Sequence, residues 1–284
     1  MQPVWIIGAG GHAKVVIDTL RTLGTFDVLG VLDDDPVRLG TVVLWVPIRG
    51  EASLESIDRF GIEQAIIAIG SNRARATVAG RLAGRVSWAT AIHPTAHLAP
   101  GVRIGEGTVV FAGAIVQPGS VIGRHVILNT ACSVDHDGLI GDFVHMAPGV
   151  RLAGNVQVGE GALLGIGSSV IPERTIGAWA TIGAGGVVVD DIPPDVTAKG
   201  IPAKSSEAVS TSNLIQQLEG GAEAIRMDPA LHAAIARGES PYQDAIHPTT
   251  RGQAILAKRL GVAVLDLLHE AGNLPSSGTP RNLR

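Results

Sequence analysis

Aliphatic side chains recur at every sixth position through the middle of the chain. An α-helix needs a period of about 3.6 residues and a half-buried strand a period of about 2. A period of six instead places one inward side chain on each flat face of a coil built from three short strands. The sixteen members of the series, which has no insertion, are Leu98, Ile104, Val110, Val116, Ile122, Leu128, Val134, Ile140, Met146, Leu152, Val158, Leu164, Val170, Ile176, Ile182 and Val188. The pattern predicts a parallel β-helix.

Small residues accompany this repeat. Glycine or alanine often follows the aliphatic position, as at Gly105, Gly123, Gly141 and Gly159. Glycine suits a chain that must turn a tight corner, and one coil cannot bury its own interior without neighbours above and below it. We therefore expect about five stacked coils around a continuous aliphatic column.

The pattern differs on the N-terminal side of the repeat. Short apolar runs that predict strands alternate there with amphipathic segments that predict helices. This alternation is typical of a small parallel α/β sheet of the Rossmann-like kind. The predicted strands are Val4–Ile7, Val28–Leu32 and Ala65–Ile69; the predicted helices are Ala13–Leu23 and a stretch that carries Arg73, Arg75 and Arg81.

The repeat is lost again towards the C-terminus. Three segments there have a helical pattern, and the tail from Gly272 is rich in proline, glycine and serine, which predicts disorder. The helical segments are Asn213–Glu219, Pro229–Ala236 and Gly252–His269. We therefore predict a Rossmann-like α/β domain at residues 1–88, an all-β β-helix at 89–204 and a mostly helical extension at 205–284.

Composition narrows the possible partners. The chain has 37 glycines, 45% hydrophobic and only 3% aromatic residues, so its core must consist of small and aliphatic side chains. A net charge of -4 without a long basic run argues against nucleic acid or an anionic membrane as a partner. No apolar run reaches the about 18 residues of a membrane span, and the start of the chain lacks a signal-peptide pattern. We expect a cytoplasmic protein without a membrane span.

Candidate chemistry comes from histidine, since nothing in the packing of the repeat requires an imidazole. His125, His136 and His145 fall within the repeat, and His136 stands between Asp135 and Asp137. A carboxylate beside an imidazole can fix its tautomer and raise its basicity, as a general base requires. The alternative is a solvated surface cluster. The single cysteine, Cys132, excludes an internal disulfide and a multi-cysteine metal site, and we predict no metal.

A glycine-rich turn follows the first predicted strand. Gly8, Gly10 and Gly11 precede a predicted helix, where backbone N–H groups can receive a phosphate. Asp33 ends the second strand, as an NAD site would require. No hydride-transfer domain follows, however, so a site for another nucleotide is the preferred interpretation.

Eight ordered motifs within residues 1–204 resemble the hexapeptide-repeat sugar acyltransferases of the PglD/NeuD type. The motifs are Ile7–His12, Leu32–Asp34, Ala68–Asn72, Ile127–Thr130, Val134–Asp137, Ile140–His145, Ala153–Val156 and Gly200–Lys204. The resemblance implies a left-handed β-helix with His136 as the catalytic base. Asp137 stands where the family often has glutamate, and its implied role is to orient His136 with a shorter side chain.

The resemblance also implies the substrates. Acetyl-CoA is expected as cosubstrate, in a groove between neighbouring β-helices of a homotrimer, with a nucleotide-activated amino sugar as acceptor. The transfer is direct, with a backbone N–H or His145 stabilising the oxyanion. Positions implied along the acyl-CoA groove are His145, Asn129, Gly154, Gly165 and Gly183, although the glycines also suit coil corners. Those implied for a UDP- or GDP-linked sugar are Gly10, Gly11, His12, Asp33, Asp34 and Asn72.

Other interpretations remain open at this point. One imidazole serves an amine and a hydroxyl equally, so O-acetylation of a sugar is an alternative, and a non-enzymatic β-helical binding module is another. A nucleophilic pair of Cys132 and His136 is a third possibility. In the tail, Asp244 and His247 resemble the last block of SGNH hydrolases, but the chain has no Gly-Asp-Ser nucleophile motif to complete a triad.

Overall fold

The computed structural model describes residues 1–206, which lie within one compact unit. The chain begins with a six-stranded sheet in the order β3-β4-β2-β1-β5-β6. All of its pairings are parallel except that of β3 with β4. The elements are β1 (Gln2–Ile7), α1 (Gly11–Leu23), β2 (Phe26–Leu32), β3 (Val42–Val43), β4 (Val46–Gly50), α2 (Leu54–Phe60), β5 (Gln64–Ile67), α3 (Asn72–Arg81) and β6 (Ser87–Trp88).

The strand order places the candidate nucleotide-binding residues at one edge of this sheet. β1 lies between β2 and β5, with Ile7 paired to Leu32 on one side and to Ile67 on the other. The chain thus leaves β1, β2 and β5 at their carboxyl ends, where parallel α/β sheets form binding crevices. The predicted Rossmann-like α/β fold is confirmed.

Residues 91–188 form the predicted left-handed parallel β-helix, which is confirmed. Strands pair in parallel with the strand three places further along the chain, so three sheets form its faces. The strands are β7 (Ala91–Ile92), β8 (His97–Leu98), β9 (Arg103–Ile104), β10 (Val109–Val110), β11 (Ile115–Val116), β12 (Val121–Ile122), β13 (Ile127–Leu128), β14 (Ser133–Val134), β15 (Leu139–Ile140), β16 (His145–Met146), β17 (Arg151–Leu152), β18 (Gln157–Val158), β19 (Leu163–Leu164), β20 (Ser169–Val170), β21 (Thr175–Ile176), β22 (Thr181–Ile182) and β23 (Val187–Val188).

The sixfold series supplies the second residue of every strand from β8 to β23, and these side chains line the interior. Between the faces the chain turns three corners per coil, each with a residue at positive φ. We call them the docking corner (Gly107, His125, Phe143, Gly161 and Trp179), the histidine corner (Gly101, Gly119, Asp137, Asn155 and Glu173) and the glycine corner (Gly113, Ala131, Gly149, Gly167 and Gly185).

One face of the β-helix is covered by the N-terminal sheet and its helices. The outward residues Ala91, Val109 and Ile127 are buried in the same cluster as Ala13 and Val16 of α1. Exposed outward positions such as Ile115 and Leu139 lie on the other two faces. The apolar outward residues of the first coils therefore form the platform that receives α1.

The last described strands close the β-helix. β24 (Thr197–Lys199) continues the face of β22, and β25 (Lys204–Ser206) pairs antiparallel with β24. The predicted helical extension and its candidates Asp244 and His247 lie outside the described residues. None of the helices within residues 1–206 is long and apolar enough to cross a membrane.

Candidate active site

His136 lies at the histidine corner, next to the residue that carries the positive φ. Its Nδ1 lies 2.9 Å from Oδ2 of Asp137, and Oδ1 of Asp135 accepts its backbone N–H at 2.8 Å. Because a carboxylate accepts the hydrogen bond, Nδ1 carries the proton and Nε2 presents a lone pair. Both side chains of the pair are more than half exposed, so Nε2 is open to a substrate.

Two glycines make room for this pair. A Cβ at Gly154, one coil further on, would lie 2.4 Å from Nε2 of His136, and a Cβ at Gly119, one coil earlier, would lie 2.3 Å from Oδ1 of Asp137. Either distance is far below a van der Waals contact. The predicted role of Gly154 thus has a concrete steric basis in this chain: glycine there leaves space for the imidazole.

The electrostatics of His136 suit a base. The hydrogen bond that the imidazole donates to Asp137 raises the pKa of His136 above its ordinary value, and the charge of Asp135 adds to the effect. A raised pKa strengthens the neutral imidazole as a proton acceptor.

Asp137 itself has φ +59, a left-handed conformation that aspartate and asparagine tolerate better than longer side chains. Aspartate, although shorter than the glutamate that the family often has, therefore suits this corner and still reaches the imidazole.

His145 occupies an outward position on the covered face. Its Nδ1 lies 3.3 Å from the carbonyl oxygen of Gly70, and Nδ2 of Asn129 lies 3.2 Å from its Nε2. Oδ1 of Asn129 accepts the backbone N–H of Thr130, which identifies Nδ2 as a donor. Both ring nitrogens are engaged, and burial lowers the pKa of His145 to about 4.

A neutral His145 with no free N–H cannot donate to an oxyanion in this geometry. Of the two expected stabilisers, the backbone N–H is the one that fits. The expectation that His145 and Asn129 lie along the acyl-CoA groove stays a prediction, as do those for Gly165 and Gly183. A Cβ at Gly165 would lie 2.6 Å from the backbone N of Ala184, and a Cβ at Gly183 would lie 2.9 Å from the Cβ of Lys199. Coil stacking alone thus requires glycine at both.

A cleft of about 390 Å³ opens at the carboxyl ends of β1, β2 and β5. It is lined by most of the predicted nucleotide-binding residues, namely Gly10, Gly11, His12, Asp33 and Asp34. Gly10 is the N-cap of α1 and provides no side-chain cap, and the first turn of the helix carries no acid. The free N–H groups of that turn and the helix dipole favour a phosphate.

The acids of the cleft hold its loops. Asp33 accepts the backbone N–H of Ala9 at 2.5 Å and that of Asp35 at 2.9 Å. Asp34 accepts the backbone N–H of Ala52 and pairs with Arg81 at 2.8 Å. Each carboxylate keeps further acceptor capacity for sugar hydroxyls.

His12 lines the cleft and also contacts the β-helix. Its ring meets Phe111 edge-on, at 5.3 Å between centroids, and the ring of His145 is 6.2 Å away. Burial lowers the pKa of His12 to about 3, so the ring is neutral, and its buried Nε2 has no protein partner. An unpaired buried nitrogen that borders a cleft is suited to a hydrogen bond with a ligand.

Asn72 is the predicted nucleotide residue that the structure places elsewhere. Its Nδ2 donates to the carbonyl oxygens of Gly161 and Ala162 at 2.9 and 3.0 Å, and its Oδ1 accepts from Arg75. The side chain therefore ties α3 to the β-helix and does not line the cleft. Contact of Asn72 with the nucleotide stays a prediction.

Sequence reasoning missed two arginines. Arg38 lines the cleft and donates from Nη1 to the carbonyl oxygen of Ala9 at 2.6 Å. Arg75 is buried between α3 and the β-helix. For Arg75 a signal existed, since it lies three residues after Asn72 and so on the same face of the helix.

The alternative nucleophile is contradicted by the structure. Cys132 faces the interior of the coil and is only 1% exposed. Burial raises the pKa of its thiol to about 12, so it is neither ionised nor accessible. Within residues 1–206 there is also no group of three or more histidine, cysteine or acidic side chains that could hold a metal ion.

The repeat coils define a hexapeptide-repeat β-helix protein, and the exposed histidine–carboxylate pair and the separate cleft are its candidate active site and nucleotide site. A family model described as PglD N-terminal domain matches residues 3–82. The structure of PerB from Caulobacter crescentus in complex with CoA and GDP-perosamine is similar, with 45% identity and a TM-score of 0.68. The match covers 72% of this chain and 98% of that one.

Two further proteins of known description are similar to this chain. The acetyltransferase domain of PglB from Neisseria gonorrhoeae, in complex with acetyl coenzyme A, is 38% identical with a TM-score of 0.67 over 72% of this chain and 99% of that one. UDP-N-acetylbacillosamine N-acetyltransferase of Bacillus subtilis is 40% identical over 39% of this chain and 52% of its own length. The chain thus spans about half the length of that curated relative. It belongs to the PglD/NeuD-type family of hexapeptide-repeat sugar acyltransferases.

Proposed function

We propose that this chain is an acetyl-CoA-dependent N-acetyltransferase whose acceptor is a nucleotide-linked amino sugar, of the UDP- or GDP-4-amino-4,6-dideoxyhexose type. The observation that carries the proposal is the exposed His136, with Nδ1 held by Asp137 and Nε2 free above Gly154. Relatives described as binding CoA with GDP-perosamine, or acetyl coenzyme A, support the substrate class.

The chemistry is a direct acyl transfer. The sugar amine attacks the thioester carbonyl carbon while Nε2 of His136 accepts a proton from the nitrogen. A C–N bond forms, the C–S bond of the tetrahedral intermediate breaks, and the imidazolium returns its proton to the departing thiolate. A backbone N–H stabilises the oxyanion between these steps.

The cleft of the N-terminal domain holds the nucleotide in this proposal. The first turn of α1 receives the diphosphate, His12 donates a hydrogen bond, and Asp33 and Asp34 accept from hydroxyl groups. The family resemblance supports these assignments, and so does the presence of all of these residues in the lining of one cleft.

The proposal includes a homotrimer, in which the groove between neighbouring β-helices takes the pantetheine arm. Exposed aliphatic side chains on the β-helix support an interface between copies, among them Leu139 and Ile166. A cytoplasmic location and a role in polysaccharide biosynthesis complete it. Light scattering of the purified chain tests the trimer, and a monomeric mass at working concentration would contradict it.

The experiment that tests the function measures CoA release with a panel of UDP- and GDP-linked amino sugars. Replacing the base should lower kcat of His136→Ala by about 100-fold or more. His97→Ala, which alters an exposed histidine elsewhere on the β-helix, is the matched control. A folded His136→Ala protein that turns over at the wild-type rate contradicts the mechanism.

A product that survives mild base is an amide, and one that is hydrolysed is an ester. The first result supports N-acetylation and the second contradicts it.

A further inference from the structure

Arg75 is a buried arginine whose partners come from both halves of the described structure. It is 1% exposed, and all three of its nitrogens donate hydrogen bonds. Nε donates to the carbonyl oxygen of His125 at 2.8 Å, and Nη2 to that of Phe143 at 2.7 Å. Nη1 donates to the carbonyl oxygens of Ile69 and Gly70 at 2.9 and 3.2 Å. One planar guanidinium thus joins the loop after β5 to the docking corner of two adjacent coils, at His125 and at Phe143.

The charge of Arg75 has no carboxylate partner among the described residues, since its side-chain acceptors are carbonyl oxygens and the amide of Asn72. Burial lowers the pKa of Arg75 to about 9. Burying an ion without a counter-ion is costly, and apolar packing would hold a helix to a sheet at least as well. Arg75 therefore offers something that apolar packing lacks, which is a fixed geometry for several carbonyl groups at once.

The Gly70 carbonyl is the point where this network meets the candidate site. It accepts hydrogen bonds from both Arg75 and His145, and His145 in turn accepts one from Asn129. Gly70 and Ile69 also line the nucleotide cleft. Hydrogen bonds from Arg75 to the carbonyl oxygens of Ile69 and Gly70, and from His145 to that of Gly70, therefore tie the cleft loop to the coils.

We propose that Arg75 is a positioning residue, which holds the Ile69–Gly70 loop at a set distance from the β-helix and so controls how tightly the cleft binds the nucleotide sugar. The inference rests on the proposed function for the identity of that ligand. Arg75 does not touch the substrate. It acts through the loop that does.

The test compares Arg75→Lys with the wild type. Lysine keeps the positive charge but cannot reproduce the planar fork, so it cannot hold the carbonyl groups of the loop and of the corner together. An interaction that stabilises the bound substrate and the transition state equally affects KM and leaves kcat unchanged. We therefore expect KM for the nucleotide sugar to rise about tenfold. KM for acetyl-CoA should rise by no more than about twofold, because His145 is the one predicted groove residue that contacts the loop.

Arg73→Met is the matched control. Arg73 lies on the same helix, pairs with Asp195 at 3.3 Å and stacks over Trp179, so it also joins α3 to the β-helix. Among residues 1–206 the side chain of Arg73 has Asp195 and Trp179 as its partners, and neither belongs to the cleft loop. Weaker docking alone should leave both KM values within about twofold of the wild type.

A second measurement needs no substrate. Hydrogen exchange of the backbone amides at residues 69–71 should become about tenfold faster in Arg75→Lys. Exchange in the coils should stay unchanged, because the coils keep the backbone hydrogen bonds between successive turns. If wild-type protein acetylates no amino sugar, the proposed function fails, and the exchange experiment still judges Arg75.

Three outcomes overturn the positioning role. The first is unchanged loop exchange in Arg75→Lys, and the second is an equal rise of both KM values. The third is failure of both Arg75→Lys and Arg75→Gln to fold, which would make Arg75 a determinant of the fold.

Discussion

The docking corner and the histidine corner have the same backbone and different surroundings. Each turns the chain with one residue at positive φ per coil, and each places a histidine within one residue of that position. At the docking corner His125 stacks on Phe143 at 5.2 Å between ring centroids and meets Trp88 edge-on at 4.9 Å. At the histidine corner the side chain of His136 is more than half exposed, and Gly154 lies beside its imidazole.

The difference shows that the surroundings, and not the repeat, decide what each histidine can do. Burial, with the charge of Arg75 as a smaller contribution, lowers the pKa of His125 to about 4. The hydrogen bond that His136 donates to Asp137 raises the pKa of His136. One imidazole is thereby a neutral packing element and the other a candidate base.

The largest effect should follow from moving His136 without removing it. In Gly154→Ala the new Cβ would collide with Nε2 of His136, so the imidazole must shift. A misplacement of about 1 Å can cost about 100-fold in rate, and we expect a loss of kcat of that order. Steady-state kinetics with acetyl-CoA and the best acceptor measures it.

Gly113→Ala is the control for this substitution. Its Cβ would lie 3.8 Å from Ala131, so the variant adds backbone strain at φ +69 but displaces no histidine. Its kcat should match the wild type. Equal activity of Gly154→Ala and wild type would mean that the position of His136 over Gly154 has no role in catalysis.

An intermediate effect should follow from removing the negative charge of Asp137 from the exposed pair that it forms with His136. In Asp137→Asn the carboxylate is lost while the residue remains tolerant of positive φ, and kcat/KM should fall about tenfold. The base works when neutral, so activity rises with pH through its pKa. Because Asp137 raises that pKa above 6.5, the acidic limb of the kcat/KM profile should move to lower pH in the variant.

Asp135→Asn separates the effect of a nearby negative charge on His136 from the effect of a carboxylate that also orients its imidazole. Asp135 accepts the backbone N–H of His136 and contributes to the raised pKa by its charge alone. A smaller shift of the acidic limb is therefore expected than for Asp137→Asn. A pH profile of Asp137→Asn that coincides with the wild type would remove the carboxylate from the pair's function.

The smallest effect concerns His125 at the docking corner. The pKa of His125 is about 4 in the folded protein and 6.5 in the unfolded chain, so the unfolded chain binds more protons between these values. Its contribution to stability is complete above about pH 6.5 and is lost as pH falls towards about 4. We would measure the free energy of unfolding with urea at several pH values in this window. In His125→Phe its slope against pH should fall by an amount equivalent to about one bound proton.

His12 and His145, whose pKa values are also lowered, should preserve the rest of that dependence in the variant. His97→Gln is the control, since it replaces an exposed histidine. An unchanged pH slope in His125→Phe would show that His125 does not titrate on unfolding as its burial requires.

Much of the architecture was predictable because the repeat is locally encoded. The series from Leu98 to Val188 predicted inward positions that the structure places inside the coils. The alternation before it predicted β1, α1, β2, β5 and α3 to within a few residues. The cleft was predictable for the same reason, since the carboxyl ends of parallel strands meet at one edge.

The arrangement around α3 was not predictable from local pattern. Asn72 reads as part of a loop motif beside a nucleotide, yet its amide is occupied by carbonyl oxygens of Gly161 and Ala162. Those groups lie far away in sequence, at a corner that only the stacking of coils creates. The burial of Arg75 and the full engagement of His145 depend on the same contact.

The sequence by itself determined the coil, the parallel sheet and the presence of a histidine–carboxylate pair, because periodicity and adjacency act over a few residues. The tertiary structure decided which face of the β-helix the N-terminal sheet covers, and hence which histidines are buried and neutral. That choice depends on apolar outward residues such as Val109 and Ile127 meeting α1. Burial and charge at a site are sums over groups distant in sequence, and these become known only when the chain is folded.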